Sequence, residues 1–320
     1  MLGNDDTPTR VNGVNSYCHI LSNPFYSGYA TRARKDRLTV ISVLEGSDTL
    51  VYLLDARTSG WLEKFGVPIW AQRVVAGWPQ GQWLTADEIR KHLDQDLAQR
   101  LNVQQQARVL EAAALSAYYA QTDVAIIPIL VSDDAPQFKY LTQCHSLCWI
   151  HEGRHYKKLT PLMVHHQRLL ETFTGQVWDF YHQLQRYRGA PSEAQSQRLR
   201  TEFVRLFSTK TGYAGLDRCI AATLNKQPQL LTVLTHPEIP LHNNTAELAA
   251  RQRVRKRDVS FGPRTPDGLK AWDTFMSLAE TAKKLGISFY AFVFDRIAKL
   301  NVIPSLATVL MQRAASARAP

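Results

Sequence analysis

The sequence predicts an α/β fold: a mixed sheet flanked by helices and interrupted by an all-helical insertion. Three observations carry this. Short β-branched runs crowd the front of the chain, at residues 16–21, 38–44 and 49–54, parted by turn residues such as Glu45-Gly-Ser-Asp48. A further apolar run of strand length, 124–131, ends just before Asp133. From about residue 152 to 235 the strand signal disappears, and apolar residues recur at helical spacing.

Taken in order, the three front runs read as consecutive antiparallel strands, with Asp5 at the front of this β-rich stretch. A helix starts at about Thr85, where Thr85-Ala-Asp-Glu88 forms a capping box and Ile89, Leu93 and Leu97 fall on one side. The alanine-rich stretch 109–119 is a second helix, and the run 124–131 then reads as a strand. Three strands, a helix and another strand give the order of a ribonuclease-H-like core. Leu169, Phe173, Val177, Phe180, Tyr181 and Leu184, followed by Phe203 and Leu206, predict a helical hairpin. Asn244 and Glu247 have the spacing of an N-cap and its capping-box partner. Residues 272–285 resume as an amphipathic helix with Phe275, Leu278 and Ala282 on one side. The expected organisation is a first part of the core at 1–151, with a helical insert at about 60–105, then a helical insertion at 152–235. The rest of the core and the C-terminal helices fill 236–320.

Composition frames the function. The 320 residues are 45% hydrophobic, ample for a sizeable core, and 38 Lys and Arg against 28 Asp and Glu give a formal net charge of +10. Such a balance suits a polyanionic partner, because phosphate contacts release condensed counterions. No apolar run approaches the ~20 residues of a membrane span, and no signal peptide is apparent, so the expected location is the cytoplasm. The four cysteines, Cys18, Cys144, Cys148 and Cys219, are too few and scattered for a disulfide framework. Cys144, His145, Cys148 and His151 crowd together but lack the paired knuckles of a structural zinc site.

Asp5, Asp133 and Glu247 are the candidate catalytic and metal-binding residues. Each lies at the edge of a segment that could carry it to a common point. Magnesium and manganese take hard oxygen ligands, and two such ions roughly 3.5–4 Å apart can stabilise the attacking and leaving oxygens of an in-line displacement. Arg251, Arg253, Arg255, Lys256 and Arg257 follow Glu247 within about three helical turns, a density that suits a DNA backbone.

Asp5-Asp-Thr-Pro8, Asp133-Asp-Ala-Pro-Gln-Phe138, Cys148-Trp-Ile-His151 and Asn243-Asn-Thr-Ala-Glu247 occur in that order over nearly the whole chain. Together they resemble the successive blocks of bacterial insertion-sequence DDE transposases, specifically the sixty-six group. The resemblance implies that Asp5 is the first catalytic aspartate, Asp133 the second and Glu247 the glutamate. It also implies Mg²⁺ or Mn²⁺ as cofactor, double-stranded DNA (element ends and target) as partner, a homo-oligomer on DNA and association with the nucleoid. It sets Cys148-Trp-Ile-His151 on a strand beside the site, with His151 near phosphate. Members of the group usually carry a DNA-binding region ahead of the first aspartate, whereas this chain starts four residues before Asp5. The resemblance is therefore to the catalytic part, and the first strand of such a core would be expected to need residues upstream. The doubled acids Asp5-Asp6 and Asp133-Asp134 leave each ligand open by one position. A DNA-binding derivative without catalysis and a ribonuclease-H-like nuclease are the alternative readings.

Overall fold

The computed structural model describes residues 1–316. Its centre is a five-stranded mixed sheet of order β3-β2-β1-β6-β7. Strands β1 (Leu2–Val11), β2 (Val14–Ser22) and β3 (Ser27–Arg32) form an antiparallel meander. Strands β6 (Ile129–Ser132) and β7 (Cys144–Leu147) add on in parallel to β1. This is the ribonuclease-H-like α/β arrangement that the sequence predicts, although several of its strands are not the predicted ones.

The run 38–44 is not a strand. It is helix α1 (Arg37–Glu45), capped by the Asp36 side chain on the Thr39 N–H and closed by Gly46 at φ 66°. Capping at both ends outweighs the β-branched composition, and Val40, Ile41 and Val43 are buried in a core with Leu2 and Leu130 or beside it. The run 49–54 contributes β4 (Val51–Leu53), which leaves the main sheet to pair with β5 (Trp83–Thr85). The run 124–131 is strand only from Ile129, since Pro128 has no N–H to give a ladder. The strand that carries Asp5 forms within the residues present here: it pairs with β2 from Gly3 to Val11 and with β6 at Leu2 and Gly3.

Between β4 and β6 lie α2 (Ala56–Lys64), α3 (Ile69–Ala76), α4 (Ala86–Asp96) and α5 (Val103–Ala120). Helix α4 starts on the expected Thr85–Glu88 capping box. Alternation in β1 then sorts the sheet into two faces. Leu2 and Leu130 pack in the large core of α1 to α5. Gly3 meets residues 243 and 245 on the opposite face, where Cys18, Ile20 and Tyr29 pack on α11 (Asn244–Ser260) and α12 (Pro266–Lys284).

After β7 come α6 (Trp149–Lys157) and a long helical stretch: α7 (Val164–Gly189), α8 (Glu193–Phe207), α9 (Ala214–Leu224) and α10 (Gln227–Leu230). These helices enclose their own aromatic core around Trp149, Phe180, Phe203 and Phe207. Trp149 anchors it to the sheet side, its indole donating to the Leu230 carbonyl at 2.9 Å. At the C-terminus, α13 (Phe289–Ile297) and α14 (Leu306–Ser316) pack with Ala282 and Leu285 of the α12 end. Phe275, expected on the buried side of α12, is exposed, while Met276 takes the core position.

Candidate active site

Two backbone relations bring the acids together. The parallel register pairs Gly3 with Val131, so Asp5, two residues further along β1, lies toward Asp133, which follows the end of β6 and is near enough for its charge to act on Asp5. Both acids have the parity of Gly3, Ile129 and Val131, which face α11 and Ile239. Their neighbours point elsewhere. Asp6 accepts from Gln137 at 2.8 Å, and Asp134 is held by Lys139 and Lys226 at 2.9 and 3.0 Å. Burial alone would raise the Asp134 carboxyl, but the two lysines outweigh it and keep its pKa below the usual range.

Glu247 arrives because the start of α11 is pinned to the sheet. Asn243 donates its side-chain amide to the Asn4 carbonyl at 2.7 Å, and Ser22 Oγ donates to the Thr245 carbonyl at 3.2 Å. Glycine is required at position 3, where a Cβ would lie 2.5 Å from Asn243 Oδ1. Ala246, Ala249 and Ala250 let the helix lie close on β1 and β2. The helix is capped at Asn243, not Asn244, and without a side-chain cap hydrogen bond. Glu247 is therefore free of the capping duty that its spacing suggests. Its carboxylate lies 3.4 Å from His151 Nδ1 and accepts from Arg154 Nη2 at 3.2 Å.

The third piece is α6, which begins where a strand is expected. The Cys148 N–H donates to the Ser132 carbonyl at 3.0 Å, continuing the β6–β7 pairing, and the Trp149 N–H donates to the Leu241 carbonyl at 2.9 Å. The chain then turns into helix, placing His151 and Arg154 one turn apart on the side facing Glu247. Arg154 Nη1 donates to His151 Nε2 at 2.7 Å. Arginine is donor-only, so that nitrogen is the acceptor and the imidazole proton sits on Nδ1, toward Glu247. Burial lowers the His151 pKa against the pull of Glu247, and the Arg154 charge adds to the lowering.

The electrostatics tie the acids into one set. The Asp5 carboxyl is raised to about 7, first by burial and then by the charges of Asp133, Asp6 and Glu247, although the Asp6 N–H bonded to it at 2.9 Å pulls the other way. Asp133 accepts from the Ala135 N–H at 3.1 Å and lines a cleft of about 350 Å³ with Cys148, His151, Arg154, His155 and Lys158. Of the three candidate acids Asp133 alone lines this cleft, together with Asp134, Glu152 and the cationic Arg154 and Lys158.

Of the expected Cys/His group, only Cys148 and His151 meet Glu247, with ligand atoms all within 4.8 Å. His145 instead turns to Ser132 Oγ at 2.8 Å. The Cys148 thiol accepts from the Asn243 N–H at 3.4 Å and is pushed upward by burial, so it stays protonated and suits α11 docking better than ligation. The residues fit a hard divalent cation. Three carboxylates offer oxygens, and Glu247 Oε1 is buried without a hydrogen-bond partner among the described residues, while His151, its proton on Nδ1, is no ligand in this tautomer. Asp5 is a half-buried acid beside three other acids that disfavour its charge.

The basic block after Glu247 divides. Arg251, Arg255 and Lys256 are exposed, and Arg257 is partly covered by its bond to the Pro8 carbonyl. Arg253 is not available to DNA. It is 1% exposed, pairs with Asp273 at 2.9 Å, donates to Thr31 Oγ1 at 2.9 Å and lies 3.9 Å over the Trp272 ring. Its position in the basic run hid this, since helical spacing puts residue 253 on the stripe of Ala246, Ala249 and Ala250. Arg154 went unread in the sequence, although three residues after His151 is the spacing that puts two side chains on one helix face.

The sheet thus carries Asp5 on β1 and Asp133 just past the end of β6, with Glu247 on the helix packed over them, in an α/β fold of the ribonuclease-H-like class. The sequence comparisons agree with that class. The profile described as the Transposase IS66 family matches residues 93–271, more than half of the chain, and the chain belongs to that family. It is also 31% identical over 295 residues to the uncharacterized protein y4jO of Sinorhizobium fredii, covering 92% of this chain and 90% of that protein. No solved structure matches the chain. No helix among the described residues is long and apolar enough to cross a membrane.

Proposed function

We propose that the protein is a DDE-type transposase that cuts and joins DNA strands at the ends of an insertion sequence, with Asp5, Asp133 and Glu247 as its catalytic carboxylates. The observation that carries this is the convergence of their charges on one half-buried carboxyl, Asp5. These three residues would hold Mg²⁺ or Mn²⁺, which when bound supplies charge stabilisation at the attacking and leaving oxygens of an in-line displacement. The chain's own residues do the rest. Arg154 orients both Glu247 and His151, fixing the imidazole tautomer, and His155 and Lys158 at the cleft rim draw in the phosphate backbone. On this reading residues 1–151 and 236–320 form the catalytic core and 152–235 a helical insertion. A cleavage assay on labelled ends of the parent element, with and without metal, tests it. Binding without cleavage would favour a DNA-binding derivative, hydrolysis without joining would favour a nuclease, and metal-independent cleavage would reject the metal-binding role of the three carboxylates.

The raised Asp5 pKa makes the metal-free protein sensitive to pH. The folded state holds that proton up to about pH 7, whereas the unfolded chain releases it near 3.8, so stability falls as pH rises between those values and levels off above. The expected loss is at most about 4 kcal/mol, at ~1.36 kcal/mol per pKa unit. Asp5→Asn should flatten this part of the stability profile, and Mg²⁺ at pH 8 should raise the melting temperature of the parent more than that of the variant. Superimposable pH profiles of parent and Asp5→Asn would refute the assignment of Asp5.

DNA binding should rest on the exposed part of the basic block. Neutralising Arg251, Arg255 and Lys256 together is expected to weaken binding to unrelated duplexes alike. The slope of log affinity against log salt should flatten by about 0.9 for each phosphate no longer neutralised. An unchanged slope would put the DNA on another face.

A further inference from the structure

A cavity of about 1330 Å³ adjoins the catalytic cleft, the two sharing Asp134 and Leu147 as lining. One wall is aromatic. Trp61 stacks on Tyr119 with centroids 6.1 Å apart at 17°, and Tyr140 packs against Trp61 at 5.6 Å. Lys64 lies against this wall, its ammonium 4.2 Å from the Tyr140 centroid. The facing wall comes from the helical insertion, with Arg200, Asn225 and Gln229. Gln229 Oε1 has no hydrogen-bond partner among the described residues. Arg57, Lys64, Lys139, Arg200 and Lys226 line the groove against a single acid among the described residues, Asp134, which two of those lysines already neutralise. His145 in the floor is held neutral, its pKa lowered to about 4 by burial.

Cations for phosphates, ring faces for stacking and amides for base edges are what an unpaired strand requires, whereas paired bases in a duplex keep their faces covered. We infer that this groove takes an unpaired segment of a DNA strand leading away from the cleft. The inference rests on the reading of the adjacent cleft as a DNA-cutting site. It also accounts for the helical insertion, which together with α2 on the other side forms the walls of a single-strand channel.

The test measures binding by the full-length protein in chelator, so that no strand is cut. The probes are a fluorescently labelled mixed-sequence single strand, a blunt duplex and a duplex with a single-stranded tail. The parent should bind the tailed duplex more tightly than the blunt one. Trp61→Leu should weaken binding to the tail about tenfold, as expected for removal of one base stack, and leave the blunt duplex within about twofold. Because Trp61 also contacts the core, Arg200→Ala on the exposed opposite wall provides a second variant. It should weaken tail binding and lessen its salt dependence. The inference is overturned if the parent does not distinguish tailed from blunt duplex, if both variants bind the tail like the parent, or if both lose blunt duplex equally. Tail binding without any metal-dependent cleavage would sink the catalytic reading alone. Cleavage without tail preference would sink the groove alone.

Discussion

Asp5→Asn is expected to reduce metal-dependent strand cleavage on the order of a thousandfold, the loss of ~4 kcal/mol of transition-state stabilisation, while the protein stays folded. The amide keeps the carboxylate's shape but loses its charge, and Asp5 stands where burial and neighbouring acids already disfavour that charge. Metal-free Asp5→Asn should therefore be at least as stable as the parent at pH 8. Loss of activity with retained stability marks a group kept for chemistry. Asp6→Asn is the control, since Asp6 bonds Gln137 on the other face of β1. Equal losses in the two variants, or a mild loss at Asp5, would reject the assignment. Single-turnover cleavage and thermal melting in parallel measure both quantities.

Arg253→Ala is expected to cost about 3–5 kcal/mol of stability, the most damaging single change in the basic block. The guanidinium joins α11, α12 and β3 through Asp273, Thr31 and Trp272, and its removal leaves the Asp273 carboxylate buried without its cation. Arg255→Ala, two residues on and exposed, should change stability by less than about 0.5 kcal/mol. Urea unfolding of the two variants makes the comparison, and a loss below about 1 kcal/mol for Arg253→Ala would contradict its structural role.

The sequence made some of this legible. The chemistry-bearing blocks, the helices with local signals such as Thr85–Glu88, and the α/β class could all be read, because capping, periodicity and spacing act over a few residues. What escaped was set by distant partners. The run 38–44 is β-rich in composition but helical because Asp36 and Gly46 cap it and its apolar side faces α5. The strand Ser27–Arg32 has weak propensity, yet it is held by Asp273 and Ser277 of α12, more than 240 residues away. The same non-locality governs the site. Asp5, Asp133 and Glu247 stand out as carboxylates at segment edges, but the choice of Asp5 over Asp6 depends on strand parity and on where α11 docks. The arginine that orients Glu247 lies on a helix whose first turn, up to His151, was expected to be strand.

The pairing of Gly3 with the start of α11 also bears on when the protein can act. The site is closed by a helix that follows Asp133 by more than a hundred residues, and at ~5–20 residues per second a ribosome needs roughly 6–20 s to cover that distance. Through that interval the nascent chain has both aspartates but no glutamate. On the proposed reading, a chain released anywhere before α11 would lack Glu247 and could not cut DNA, so the topology itself would guard against cutting by unfinished copies.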